Sequence, residues 1–118
     1  MTFQDLGIST QLQYAVDDLG FVNATPIQEQ AFAVVRSGKD VVGIAQTGTG
    51  KTFAYMMPIL QDLRFSKQKH PRVLVLVPTR ELVLQVVEQI EQLSKYINTR
   101  VLGVYGGANI NTQKQSIL

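Results

Sequence analysis

The sequence contains no cysteine, which excludes disulfides and thiolate metal sites. It has a single histidine, His70, in a basic stretch before Pro71, where a solvated loop residue is a better reading than a catalyst. Long apolar runs are also missing. The strongest, Val73 to Val77, is far too short to cross a bilayer, so no membrane span is expected. The opening Met1-Thr2-Phe3-Gln4-Asp5 lacks the basic region and apolar stretch of a signal peptide. A soluble, cytoplasmic protein is therefore the expectation. The formal net charge is only +2, which permits contact with nucleic acid without arguing for it. What is present is ordinary for a globular chain: 118 residues, 45% hydrophobic, enough for one small core in one domain over residues 1–118.

Apolar spacing and punctuation divide the chain into alternating elements. Ser9 or Thr10 can cap a first helix carrying Leu12, Ala15, Val16 and Leu19, which Gly20 ends. Thr25-Pro26 opens a second helix, with threonine as cap and proline in the first turn. It carries Ile27, Ala31, Phe32 and Val35 and stops near Ser37-Gly38. Val41 to Ala45 reads as a short buried strand, and a helix follows from Lys51 to about Leu63, with Pro58 expected to kink or end it. The Met56-Met57 pair on that helix reads as packing, not as a metal site. After a polar, basic connection, Val73 to Val77 is the clearest strand; Pro78 ends it and Thr79 caps a helix from about Glu81 to Tyr96. Leu82, Val86, Ile90, Leu93 and Ile97 share one face of that helix. Arg100 to Tyr105 reads as a third strand before Gly106-Gly107, and a further helix starts near Asn111. Strands alternating with helices predict an α/β fold, a parallel sheet flanked by helices. No internal repeat, low-complexity segment or linker is visible.

Between the first strand and the third helix lies Ala45-Gln46-Thr47-Gly48-Thr49-Gly50-Lys51-Thr52. A polyphosphate must be wrapped by N–H donors at close range. Gly48 and Gly50 allow positive φ and a close approach with no Cβ in the way. The start of the next helix adds open N–H groups and a favourable dipole. Lys51 can reach the β and γ phosphates, and the Thr52 hydroxyl can ligate Mg²⁺. The strand-loop-helix context separates this phosphate-binding loop from a merely flexible Gly-Thr loop. Ala45 stands where the usual pattern begins with glycine. A dinucleotide-binding loop is disfavoured, because Gly48-x-Gly50 runs into Lys51-Thr52 with no third glycine at the needed spacing.

Gly20-Phe21 and Thr25-Pro26-Ile27-Gln28, with Phe3 upstream, resemble the Q motif of the DEAD-box RNA helicases. That family's phosphate loop matches Ala45 to Thr52, alanine included; its Pro-Thr-Arg-Glu-Leu segment matches Pro78 to Leu82; its Gly-Gly pair matches Gly106-Gly107. Two departures, Ala24 where the family often has proline and Val83 where it usually has alanine, touch loop rigidity and packing. The resemblance covers essentially the whole chain and implies a P-loop NTPase fold of the RecA-like type. It implies an adenine nucleotide held by Phe3, Phe21, Thr25, Gln28, Gln46, Thr47, Gly48, Thr49, Gly50, Lys51 and Thr52, with Mg²⁺ on Thr52. Phe3 would stack on the ring, and the Gln28 carboxamide, one donor beside one acceptor, suits the adenine edge. Thr25-x-x-Gln28 is also a capping box, in which Gln28 turns back to the Thr25 N–H, and both roles could alternate.

The resemblance further implies that Pro78, Thr79, Arg80, Gly106 and Gly107 touch the backbone of RNA, binding it weakly, with salt sensitivity and without regard to sequence. From the residues alone, Arg80 could equally pair with Glu81 or Glu88. In the family, hydrolysis uses an Asp-Glu-Ala-Asp segment on a later (Walker B) strand, a Ser-Ala-Thr segment and a second RecA-like domain. None of these lies within the 118 residues. The chain therefore reads as the first part of domain one of a longer helicase. It is expected to bind ATP without hydrolysing it or unwinding RNA alone. Bare strand edges would then invite association with another chain. The alternatives are another phosphate-loop ATPase without RNA dependence, and a catalytically silent nucleotide-binding or interaction module.

Overall fold

The computed structural model describes residues 1–46, 48, 50–63, 71–106 and 113–115. The expectations for Thr47, Thr49, His70 and Gly107 fall outside them. Among the described residues the main helices are α1 (Thr10–Asp18), α2 (Pro26–Arg36), α3 (Lys51–Asp62) and α4 (Arg80–Leu93). Three begin as the sequence predicts. The Ser9, Thr25 and Thr79 hydroxyls accept the Leu12, Gln28 and Leu82 N–H groups, each satisfying a donor that the helix itself cannot.

Each helix buries one stripe: Leu12, Ala15 and Val16 on α1, Val86, Ile90 and Leu93 on α4. Helix α3 is the centre, packing on both α2 and α4, while α1 packs on α4. It buries Phe53, Met56, Met57 and Leu60, so the methionine pair is core packing. Removing side chains of this size from water contributes about 1.5–3 kcal/mol each. Pro58 does not end α3, which runs on to Asp62. Its ring is fully buried, so packing offsets the missing hydrogen bond to the Ala54 carbonyl. Helix α4 stops at Leu93, earlier than expected, with the Ser94 N–H closing on the Ile90 carbonyl at 2.8 Å.

Polar contacts lock α3 to what surrounds it. Arg36 at the end of α2 makes a two-pronged bond to Asp62, Nε and Nη2 lying 3.2 and 3.1 Å from its oxygens. The Gln61 carboxamide accepts the Ser9 N–H at 2.9 Å and donates to the Gly7 carbonyl at 3.1 Å, tying down the segment before α1.

The three expected strands require correction. Residues 41–45, 73–77 and 100–105 form no strand ladder. Among the described residues, the only β-pairing is an isolated antiparallel bridge between Thr2 and Asn23. Residues 73–77 and 101–105 nonetheless keep the side-chain alternation of strands. Val75, Val77 and Val101 pack against the core, while Leu74 and Leu76 are 79% and 83% exposed and Val42 and Ile44 are 90% and 91% exposed. In 73–77 one face lies toward the helices and the other is bare, whereas residues 41 to 44 are all exposed. A parallel sheet is stable when neighbouring strands take its backbone groups and both faces are covered. Among the described residues neither condition is met for these segments. Residues 113–115 are helical, the described part of the expected last helix.

Candidate functional site

Gly48 and Gly50 lie at φ 84° and 81°, the left-handed region that glycine adopts without strain. Nothing lies within 4 Å of where a side chain on Gly48 would start, so that side of the loop is open. Helix α3 differs from the other three at its start. Its N-cap is Gly50 and no side chain caps it, so its first N–H groups face outward unclaimed by a hydroxyl. Lys51 is exposed at the first helical position and Thr52 is half-buried behind it. Gln46 is exposed. An uncapped helix start, its dipole and an exposed lysine at the first helical position are features suited to an anion.

The upstream motif reaches this loop directly. Gln28 is 4% exposed. Its Oε1 accepts the Thr25 N–H at 3.0 Å, completing the capping box, and its Nε2 donates to the Gly50 carbonyl at 3.2 Å. The capping box is therefore formed, as one of the two sequence readings required. It does not exclude the other. A carboxamide carries two donor hydrogens and two acceptor lone pairs, and one of each is used. The remaining pair is the combination an adenine edge asks for. The contact with Gly50 was not legible in the sequence, because no periodicity links residues 28 and 50.

The two aromatics separate. Phe3 is 2% exposed and packs within the core. The cause is local: the Phe3 N–H bonds to the Val22 carbonyl and the Ala24 N–H to the Met1 carbonyl, folding the start of the chain over the core. Phe21 is 45% exposed and sits edge-on to Phe53, in the first turn of α3, with ring centres 5.9 Å apart. Phe21 is the aromatic that a base could reach.

The second group of candidates also comes together. Pro78, Thr79, Arg80 and Gly106 are all exposed. The Arg80 guanidinium carbon lies 5.0 Å from the centre of the Tyr105 ring, immediately before Gly106. Among the described residues Arg80 stacks on this ring rather than pairing with Glu81 or Glu88. Two other carboxylates hold partners elsewhere. Asp62 holds Arg36, and Asp18 accepts from Tyr96 and from Lys95, the latter at 3.2 Å. The Tyr96 hydroxyl, then the Lys95 ammonium, hold the Asp18 carboxyl below the usual carboxylate range. Asp5 is lowered by the Thr2 N–H and hydroxyl.

A family model described as DEAD/DEAH box helicase matches residues 25–118. The chain belongs to this family. Among relatives of this helicase-family chain, the DEAD-box ATP-dependent RNA helicase CshA of Bacillus cereus (strain ATCC 10987 / NRS 248) is 41% identical over 116 residues, 98% of this chain and 22% of that protein. The ATP-dependent RNA helicase DeaD of Haemophilus influenzae is 42% identical over 118 residues, 99% of this chain and 19% of that protein. The chain thus spans about a fifth of the length of the curated relatives it matches. Solved structures agree. A hypothetical ATP-dependent RNA helicase from Sulfolobus tokodaii superposes with a TM-score of 0.82 at 35% identity, over 93% of this chain and 31% of that one. The RNA helicase Prp28 from Chaetomium thermophilum, bound to ADP, gives 0.85 at 30% identity, over 96% and 28%. The path of the chain is therefore that of a P-loop NTPase helicase domain, although its strand ladders are not formed among the described residues.

Proposed function

We propose that this chain is an adenine-nucleotide-binding part of an ATP-dependent RNA helicase, and that it also contacts the RNA backbone. The observation that carries the reading is the uncapped start of α3 beneath two left-handed glycines, with Gln28 bonded to the second of them. Phosphates bind the open N–H groups of the loop and α3, and Lys51 supplies positive charge. Adenine lies against Phe21 and is read by the unused donor and lone pair of Gln28, while Thr25 fixes that carboxamide. Thr52 is the residue that would hold Mg²⁺, which would neutralise the phosphates. Gln46, Thr47 and Thr49 complete the loop.

RNA phosphates meet Pro78, Thr79, Arg80, Gly106 and Gly107 through contacts that carry no base information. A cytoplasmic place of action goes with such a substrate. Hydrolysis and unwinding belong to the longer protein. What supports this is that Asp5, Asp18 and Asp62 are committed to partners away from the loop. The bare faces at Val42, Ile44, Leu74 and Leu76 support a further part of the proposal, that other polypeptide covers them: further helicase sequence, or a second copy of this chain.

The test is calorimetric titration of the chain with Mg·ATP beside Lys51→Ala, with ATP turnover measured on the same samples. Binding that Lys51→Ala abolishes, with no turnover above that control, is the expected result. Turnover well above the control would refute the assignment of hydrolysis to the longer protein. Equal binding by both would refute the loop assignment.

A further inference from the structure

Arg80 and Tyr105 lie far apart in sequence and meet as a stacked pair, 5.0 Å from guanidinium carbon to ring centre. The segment that carries Tyr105 has no strand ladder to hold it among the described residues, yet its backbone at this position is fully bonded. The Tyr105 N–H donates to Gln113 Oε1 at 2.8 Å, and Gln113 Nε2 donates to the Tyr105 carbonyl at 3.1 Å. One carboxamide thereby does what a neighbouring strand does for a residue in a sheet: it takes the donor and the acceptor together.

The consequence falls on Arg80. A guanidinium is planar, with five N–H donors in its plane and a face that attracts aromatic rings. With the ring on one side of the guanidinium, its N–H donors remain for an anion. An arginine on a helix start otherwise samples many rotamers, and holding it by one face removes part of the ordering cost of binding. We infer that Tyr105, clamped by Gln113, is a positioning residue that holds the Arg80 guanidinium for an RNA phosphate. This rests on the proposed RNA contact at Arg80. The pair works through shape and charge, so it raises affinity for any single strand and does not select bases.

The test uses a fluorescein-labelled ten-nucleotide oligouridylate in anisotropy titrations of the chain, with Arg80→Ala, Tyr105→Leu, Tyr105→Phe, Gln113→Ala and the double variant Arg80→Ala/Tyr105→Leu. Arg80→Ala weakens binding and lowers the slope of log affinity against log salt by about 0.7, one lost phosphate contact on a single strand. Tyr105→Leu and Gln113→Ala each weaken binding about two- to fivefold, the size of an exposed cation–π contact. Tyr105→Phe, which keeps the ring, binds like the parent, and the double variant is no weaker than Arg80→Ala alone. An independent NMR readout needs no variant: Arg80 side-chain protons in the parent chain are shifted upfield by the ring beneath them.

Parent-like affinity in Tyr105→Leu and Gln113→Ala, with Arg80→Ala weakened, overturns the positioning role and leaves the RNA reading standing. Additive losses in the double variant also overturn it, since Tyr105 would then touch RNA itself. An unshifted Arg80 side chain removes the stack whatever the variants do. No effect of Arg80→Ala, or no binding by the parent, sinks the RNA reading and the inference with it.

Discussion

Gly103 offers a sharp test of how the third extended segment is seated. A Cβ built there would lie 2.8 Å from Val87 Cγ2, closer than real contacts come without movement, and 3.1 Å from Val83 Cγ1, tighter than nearly all of them. Valine side chains in a helix keep one strongly preferred rotamer, so neither can swing aside. Gly103 is not among the positive-φ glycines, and alanine brings no backbone strain. It even removes freedom from the unfolded chain, worth about 0.4–1 kcal/mol of stabilisation. Overpacking costs about 1–3 kcal/mol and wins. Gly103→Ala is therefore expected to destabilise by roughly 1–2 kcal/mol once these are set against each other. Urea unfolding monitored by circular dichroism reads this as a lower midpoint with an unchanged slope. Val87→Ala costs stability alone through its lost contacts, but it opens the space the new methyl needs. The double variant Gly103→Ala/Val87→Ala should therefore lose less than the sum of the singles. Gly103→Ala at or above parental stability, or strictly additive losses, would refute the seating of residues 101–105 on α4.

Gly50→Ala should fail for two separable reasons: φ of 81° disfavours any side chain, and the new Cβ would lie 2.3 Å from Gln28 Nε2. The left-handed strain alone is about 1–2 kcal/mol, so a lower melting temperature is expected, together with loss of Mg·ADP binding by calorimetry. An undisturbed melt would show that the Gln28–Gly50 contact is not held. The Asp18 cluster makes a pH prediction. The Asp18 carboxyl is lowered by Tyr96 and Lys95, so its contribution is present above the ordinary carboxylate range and is lost as pH falls through the lowered value. Tyr96 and Lys95 are both raised by Asp18, so their share is lost as pH rises through the raised values. Asp18→Asn should therefore lower the melting temperature slightly near neutral pH and make no difference in strong acid. A difference that persists in acid would contradict this.

The local code of the sequence was largely readable. Ser9, Thr25 and Thr79 were recognisable as caps because a hydroxyl before an apolar helical stripe has one obvious use, and the structure has them in that use. The left-handed turns at Gly48 and Gly50 were readable for the same reason, since glycine adopts positive φ without strain. What escaped was long-range. Nothing at residue 28 announces Gly50, and nothing at Tyr105 announces Arg80 or Gln113. Val83, larger than the family's usual alanine, looked like a packing detail; it faces Gly103, where the absence of a side chain makes room for it. The continuous apolar run at 73–77 pointed to a buried strand, but a ladder and the cover on its second face depend on neighbours that a local pattern does not contain. The burial of Phe3 was also not legible, because motif spacing places a residue along the chain and says nothing of what the fold lays over it.

The central claim is that the upstream Gln28 and the phosphate loop form one adenine-nucleotide site. Calorimetric titration with Mg·ADP and Mg·GDP, of the parent chain and of Gln28→Ala, tests it most directly. The account predicts that the parent binds Mg·ADP in preference to Mg·GDP and that Gln28→Ala loses the preference while retaining phosphate-driven binding. Equal binding of the two nucleotides by the parent, or an adenine preference that survives Gln28→Ala, would contradict it.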